Sequence, residues 1–173
     1  MIFFPILLLG VVYVIIMLLI KNSILANINT KSNLSLKFQS TEWFQNPLYS
    51  GGFIFFMNAI YFSIALLLIF LSNMAGLHFL YFLIVFAVMF LSIWLWCLIN
   101  VSWKGSISDR IKMASIGSSF YLFVGLFFLY KFMNLKFSPP SNGFGLLLGI
   151  IVSLIAFITC FLFTGLEKKV KKS

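Results

Sequence analysis

Five long stretches of the chain contain no charged side chain, and this pattern constrains the fold more than any motif does. Each stretch is about 16 to 23 residues long, and an α-helix needs about 20 residues to cross the hydrocarbon core of a bilayer. The stretches do not alternate polar and apolar residues, as the strands of a membrane barrel do. Because an unpaired backbone amide in lipid costs several kcal/mol, each stretch is predicted to form a transmembrane helix. The predicted spans are residues 2–20, 52–71, 79–101, 115–130 and 144–166.

Composition supports this interpretation. Of the 173 residues, 62% are hydrophobic and 9% are charged, and the mean hydropathy is +1.13. A soluble domain has about 25% charged residues. A water-soluble globule of this size has no way to hide so much apolar surface. We therefore predict one integral membrane domain over residues 1–173, all-α, built as a bundle of five transmembrane helices whose solvent is the lipid bilayer.

The first stretch has the length range of a secretory leader, but three features favour a retained span. No lysine or arginine precedes it, the apolar run is longer than a usual leader core, and no A-x-A cleavage pattern follows it.

The basic residues predict the orientation. If the N-terminus lies outside, then residues 21–51, residues 102–114 and the tail 167–173 face the cytoplasm, and they carry ten of the twelve Lys and Arg. The outer connections carry only Lys131 and Lys136. This is the positive-inside bias of membrane proteins. It predicts an external N-terminus, a cytoplasmic C-terminus and a polar cytoplasmic loop at 21–51.

Amino-acid usage bears on the source of the chain. Its single arginine, Arg110, stands against eleven lysines, and there are 23 phenylalanines, which is the bias of an AT-rich genome. We expect the cytoplasmic membrane of a low-GC bacterium, with an organellar inner membrane as the alternative. The net charge of +9 does not indicate nucleic-acid binding, because the chain has no basic helix with interleaved aromatic residues.

Two patterns are expected near the membrane surface. Leu34, Leu36 and Phe38 alternate with polar residues, which is compatible with a short strand or with a segment lying on the membrane. Three tryptophans near the end of the third span are predicted to form an interfacial belt; they are Trp94, Trp96 and Trp103.

Small residues recur every three or four positions along the fifth span. That spacing brings them to one helix face, and Gly145 and Gly149 form a GxxxG pair. Helices in lipid associate by close backbone approach, so this face is predicted to be a packing seam, either within the chain or with a partner or a second copy. The seam residues are Gly145, Gly149, Ser153, Ala156, Cys160 and Thr164.

Asn58 is the most polar side chain deep inside any span. It is predicted either to join helices by a hydrogen bond, with Tyr13, Tyr61 or Tyr121 as partner, or to line a polar path. The candidate polar residues are Asn58, Tyr61, Ser119 and Tyr121.

No catalytic, cofactor-binding or metal-ligating residue is predicted. The three acids, Glu42, Asp109 and Glu167, lie outside the spans, and Cys97 and Cys160 have no metal-ligand spacing. His78 stands alone in a short outer loop, and Ser108 is the expected N-cap of a helix beginning near Arg110.

Three functions are compatible with these features. The leading hypothesis is a non-enzymatic membrane protein that acts through helix–helix contact, as an accessory subunit or as an immunity or regulatory protein of a membrane partner. The first alternative is a small transporter or channel component for a neutral or lipid-like cargo. The second is an enzyme at the membrane face that uses His78 or the Asp109–Arg110 pair.

Overall fold

A computed structural model describes residues 12, 15, 16, 19–21, 23, 33–134 and 140–166 of the chain. The regular structure of these residues is helical and includes no strand, which confirms the all-α prediction. A short helix α1 (Asn33–Ser40) is followed by a 3₁₀ turn (Glu42–Gln45) and then by four long helices. These are α2 (Pro47–Met74), α3 (Leu80–Ser102), α4 (Ile107–Met133) and α5 (Pro140–Gly165).

The four long helices are each long and apolar enough to cross a membrane, and they correspond to predicted spans two to five. Within the predicted first span, the described residues Val12, Ile15, Ile16, Leu19 and Ile20 are helical. The other residues of that span lie outside the described part of the chain.

Local sequence sets where the helices begin. Asn46 precedes α2, and its side chain accepts a hydrogen bond from the backbone N–H of Leu48, while Pro47 occupies the first helical position. At α4 the predicted cap was wrong. Ser106 is the N-cap, since its Oγ accepts from the N–H of Asp109 at 3.1 Å, and Ser108 lies inside the first turn. Asp109, three residues later, favours Ser106 as the cap, because its carboxylate accepts a hydrogen bond from the Ser106 hydroxyl at 2.7 Å.

The turn between α2 and α3 depends on a glycine. Gly76 has φ of +70°, a conformation that favours glycine, and its N–H binds the carbonyl of Asn73. The N–H of Leu77 binds the carbonyl of Ser72, which completes a Schellman ending for α2.

The four long helices form a ring. Going around it, α2 contacts α4, α4 contacts α5, α5 contacts α3, and α3 returns to α2, with the α4–α5 pairing the most extensive. We call the end where α2 and α4 begin and α3 and α5 finish the capped end. The opposite end, where α2 leads into α3 and α4 finishes, is the far end.

Burial is concentrated at the capped end. On α3 the six successive residues from Leu95 to Asn100 are all buried, so every face of this helix is covered there. No described side chain from residue 80 to residue 91 of the same helix is buried. The core side chains that surround Ile99, among them Phe44, Ile54, Met113 and Phe163, come from other elements that meet at this end.

The segment before α2 also folds onto the capped end. Residues 34–38 belong to a helix, so the strand alternative for them was wrong. The alternating leucines do not mark a buried apolar face either, because Leu34 and Leu36 are both exposed, while the intervening Ser35 is buried and accepts a hydrogen bond from Ser102 at 3.1 Å.

Candidate functional site

The axis of the ring holds a cluster of polar groups around Asn58. Its Nδ2 donates to the carbonyl of Gly117 on α4 at 3.1 Å and to Sγ of Cys160 on α5 at 3.6 Å. Its Oδ1 accepts from Nε1 of Trp96 on α3 at 3.0 Å. We call Asn58, Trp96, Gly117 and Cys160 the axial cluster. One buried side chain thus bonds to all three other long helices.

Both hydrogen-bond donors of Asn58 are engaged within the bundle, and its amide oxygen accepts one bond. A primary amide has two N–H donors, and both find acceptors here. The bond to Cys160 also crosses the diagonal of the ring, between helices whose backbones are not neighbours. The cluster therefore fixes the relative position of four helices.

Tyr61 and Tyr121, the two predicted tyrosine partners that the structure describes, form no hydrogen bond with Asn58. Tyr121 packs edge-on against Trp96, with ring centroids 6.2 Å apart, and Tyr61 packs partly buried against the same core. Ser119 donates to the carbonyl of Ile116 in its own helix at 2.7 Å. Tyr13 lies outside the described residues. The candidate polar set therefore surrounds one apolar core, with Asn58 as its hydrogen-bonding centre.

The tryptophans do not form a uniform interfacial belt. Trp94 is 43% exposed, as an interfacial ring would be, but Trp96 and Trp103 are each only 4% exposed. Trp96 turns inward because its N–H has a buried acceptor in Asn58, which a lipid-facing position would not supply. Trp103 packs against Phe44 from the segment that covers the capped end.

Close approach of α2 and α4 depends on glycines that sequence reasoning passed over. A Cβ placed on Gly117 would lie 2.6 Å from Cβ of Ile54, and one on Gly51 would lie 2.9 Å from the carbonyl oxygen of Met113. Neither glycine stands in a GxxxG pattern. The adjacent small residues Ser50 and Gly51, one turn before Ile54, were nevertheless a signal that another helix could approach this face closely.

The predicted seam of α5 lies against several neighbours. The ring of Phe128 covers Gly149, Ser153 lies beside Gly125, and Cys160 faces Asn58. Thr164 is buried and bonds to the carbonyl of Cys160, and Ala156 is partly buried. Gly145 is exposed, with open space where a Cβ would stand.

A second polar group closes the capped end. Nζ of Lys21 donates to the carbonyls of Leu162 and Leu166 in the final turn of α5, at 2.6 Å each. Nδ2 of Asn100 donates to the carbonyls of Phe163 and Leu166. The carbonyls of the last turn lack the full set of partners that a helix interior supplies, although that of Leu162 also accepts from the N–H of Leu166 at 3.4 Å. The negative end of the helix dipole favours donors and cations here.

Arg110 caps the C-terminal end of α3. Its guanidinium donates to the backbone carbonyls of Asn100 and Trp103, at 3.2 Å each. We call Lys21, Asn100 and Arg110 the capping cluster. All three side chains are buried, so their hydrogen bonds replace the water that would otherwise bind these helix ends.

Burial lowers the pKa of Lys21 from 10.5 to about 8; Cys97 partly offsets this effect, and the Arg110 cation adds to it. Among the residues that the structure describes, two buried polar atoms of this region have no hydrogen-bond partner, Oδ1 of Asn100 and Nε1 of Trp103. The amide orientation of Asn100 is nevertheless determined, because a flipped amide would set its oxygen against two carbonyl oxygens.

Gln45 ties the covering segment to the turn between α3 and α4. Its Nε2 donates to the carbonyls of Phe38 and Ser102, and its Oε1 accepts from the N–H of Lys104 at 2.9 Å. The rings of Phe38 and Phe44 stack at 4.6 Å beside these bonds. The 33–46 segment is thus held over the ends of the helices by both polar and aromatic contacts.

The residues considered for membrane-face catalysis are far apart. His78 lies at the far end, where Nδ1 is 3.0 Å from the hydroxyl of Tyr81, which donates to Oδ1 of Asn73. Asp109 lies at the capped end and forms an exposed ion pair with Lys112. Arg110 points away from Asp109 into the capping cluster. Within the described ranges, no three His, Cys, Asp or Glu side chains are placed to hold a metal ion.

Comparisons with known proteins add no assignment. No protein-family model, no curated protein and no solved structure matches the chain.

Proposed function

We propose that this chain is a non-enzymatic integral membrane protein that acts through contact between its helices and those of a membrane partner, as an accessory subunit or as an immunity or regulatory protein. The observation that carries this proposal is that both N–H donors and the amide oxygen of Asn58 bond to groups of the bundle. The deepest polar side chain joins helices, and the surface left for outside partners is apolar.

The exposed surface of the far half supports the same proposal. Large apolar side chains cover it, such as Leu67 and Phe70 on α2 and Phe86 and Phe90 on α3. Such a surface accepts lipid or another apolar helix, and in lipid the choice between them depends on shape and packing. These apolar side chains carry no hydrogen-bonding group for a polar substrate.

A transporter for a neutral cargo would need polar side chains with unused donors along its path. Asn58 has none left, and Ser119 donates to its own helix. These bonds are the reason that helix contact is preferred over transport here.

On the side of α5 that faces away from the bundle, Leu154 and Ile158 are exposed and lie one turn apart. We propose this face as the contact of the fifth span with a partner or a second copy; the exposed Gly145 belongs to the opposite, seam face of α5. The inward residues Ser153 and Cys160 hold α5 to its own bundle.

Photo-cross-linking tests this proposal. A benzoyl-phenylalanine replaces Leu154 or Ile158, and the control replaces Phe123, an apolar residue of α4 that is more exposed than either. In native membranes we expect a discrete protein adduct from the α5 positions and none from Phe123. If no exposed position on any of the four helices gives a protein adduct, the helix-contact function is wrong. Flux of a neutral solute that disappears in Asn58→Leu would instead favour transport.

We also propose five spans, with an external N-terminus, a cytoplasmic C-terminus and residence in the cytoplasmic membrane of a low-GC bacterium. The position of Lys21 supports the count, because it places the end of the first apolar stretch at the capped end, beside the end of α5. The ten basic residues that this topology places inside support the orientation.

Cysteine labelling tests the orientation on two exposed residues at opposite ends. A membrane-impermeant maleimide applied to intact cells should label His78→Cys, and it should label Lys104→Cys only after permeabilisation. The native Cys97 and Cys160 are buried and should give little background. The reverse pattern would overturn the proposed topology.

A further inference from the structure

The end of the first apolar stretch is fixed in the seam between α3 and α5. Nζ of Lys21 donates to the carbonyls of Leu162 and Leu166 at 2.6 Å each, and Nδ2 of Asn100 on α3 donates to the same Leu166 carbonyl at 2.7 Å. The Lys21 side chain is only 3% exposed. Because Nζ is the tip of that side chain, the backbone that carries Lys21 lies within one side-chain length of the last turn of α5.

The described residues of the first stretch show which of its sides faces the bundle. Five of them are helical, recur at spacings of three and four, and are 39% to 75% exposed, so they form one exposed face. They are Val12, Ile15, Ile16, Leu19 and Ile20. Lys21 follows Val12 by about two and a half helical turns, which puts it on the opposite side. The buried lysine therefore marks the side that faces the bundle, and the apolar face marks the side that faces lipid.

The helical period also gives the residues that share the side of Lys21. Counting back from Lys21 by four, three and four positions reaches Met17, Val14 and Gly10. These residues are uncharged, and one of them is a glycine. Small residues allow the close backbone approach that holds helices together in lipid.

α5 offers an apolar strip that continues from the anchor of Lys21 toward the far end. Counting back from Leu162 by seven, four and three positions reaches Ile155, Ile151 and Leu148, which are all partly buried. Ser153 lies beside Gly125 of α4, and the two isoleucines stand two positions on either side of Ser153. This strip therefore points away from α4, about 200° around the helix from Ser153.

We propose that residues 2–20 dock lengthwise on this strip as a helix parallel to α5, with Gly10 and Val14 against Ile151 and Ile155. The anchor sets the register, because Val14 precedes Lys21 by seven residues and Ile155 precedes Leu162 by seven. As a helix, residues 2–20 are about 28 Å long, close to the thickness of the hydrocarbon core. The first span thus begins at the outer surface and follows α5 to its last turn.

This docking rests on the proposed five-span topology, and it limits where a partner can reach α5. With Ile151 and Ile155 covered by the chain's own first span, the open strip of α5 is the neighbouring one with Leu154 and Ile158.

Disulfide cross-linking in native membranes tests the docking. Oxidation of Val14→Cys/Ile155→Cys with copper phenanthroline should form a disulfide within one chain, because facing positions bring the Cα atoms within the roughly 7 Å that a disulfide allows. The matched control, Ile16→Cys/Ile155→Cys, moves the first cysteine to the exposed side and should link several-fold less. Mass spectrometry of the digested protein measures the linked fraction, and the native Cys97 and Cys160 are present in both variants.

A second pair, one turn further from Lys21, tests whether the docking continues along α5. Gly10→Cys/Ile151→Cys should link several-fold more than its control, Val12→Cys/Ile151→Cys. Equal linkage of the two sides at both levels, or disulfides that join only different chains, would overturn the proposal. If cysteine labelling supports the five-span topology but neither inner pair links, the docking is wrong while the topology stands.

Discussion

The two halves of α3 differ in how far their side chains are buried. Both halves are apolar, yet Leu98 is 3% exposed and Leu83 is 62% exposed. Around Leu98 the helix is covered on all sides, by the other long helices and by the 33–46 segment. Around Leu83 the helix surface is not covered by the described residues of the bundle. Both halves of α3 are therefore apolar enough for lipid. The half that packs against protein is the one that lies beside the buried polar side chains Asn58, Asn100 and Arg110.

The capped end and the far end also differ in the hydrogen bonds that join their helices. At the capped end the axial cluster and the capping cluster join all four long helices. At the far end the bonds of His78, Tyr81 and Asn73 join the end of α2 to the start of α3, across the loop between them. In lipid there is no hydrophobic force to press helices together, so such bonds and close packing carry the association. We expect the free energy of unfolding to depend mainly on the capped half.

The largest effect is expected for Asn58→Leu. It leaves the N–H of Trp96 without its acceptor and removes the donors to Gly117 and Cys160, so the free energy of unfolding should fall by about 3 kcal/mol. Mixed-micelle unfolding with sodium dodecyl sulfate measures it. The matched control is Asn73→Leu on the same helix at the far end, for which about 1 kcal/mol or less is expected. Equal losses in the two variants would refute the contrast between the halves.

Gly117→Ala should have the next largest effect. The new Cβ would lie 2.6 Å from Cβ of Ile54, and relief of that overlap moves α2 away from α4, at a cost of about 2 kcal/mol. Gly52→Ala is the control, because open space surrounds a Cβ there and alanine has the better helix propensity. The same unfolding titration should show it as neutral or slightly stabilising. A neutral Gly117→Ala would mean that the two helices are not in close contact.

A smaller difference should separate two identical substitutions on α3. Leu98→Ala loses contacts with protein, and we expect about 1 kcal/mol, less than in a soluble core because lipid is as apolar as the interior. Leu83→Ala exchanges lipid contacts for lipid contacts and should stay within about 0.5 kcal/mol of the wild type. Tm measurements in one detergent compare the two variants, and a larger shift for Leu83→Ala would indicate that the far half of α3 is covered by protein.

Most of the helical architecture was predictable, but its details were not. Apolar stretches located α2 to α5, although α4 begins at residue 107 rather than near Arg110, because Ser106 caps it instead of Ser108. The interior role of Trp96 was not predictable, since tryptophan near a helix end also suits the membrane surface. The join of Lys21 to α5 was not predictable either, because nothing in the sequence around Lys21 specifies a backbone acceptor 141 residues later.

The sequence by itself determined that the chain forms apolar helices suited to a bilayer, because in lipid each stretch must satisfy its own backbone hydrogen bonds, whatever surrounds it. Only the tertiary structure decided that Asn58 bonds to Trp96 and Cys160, that glycines bring α2 against α4, and that Lys21 and Arg110 cap two helix ends. Those outcomes depend on the rotation and spacing of helices distant in sequence, which are set jointly by all the packed faces and cannot be read from any one helix.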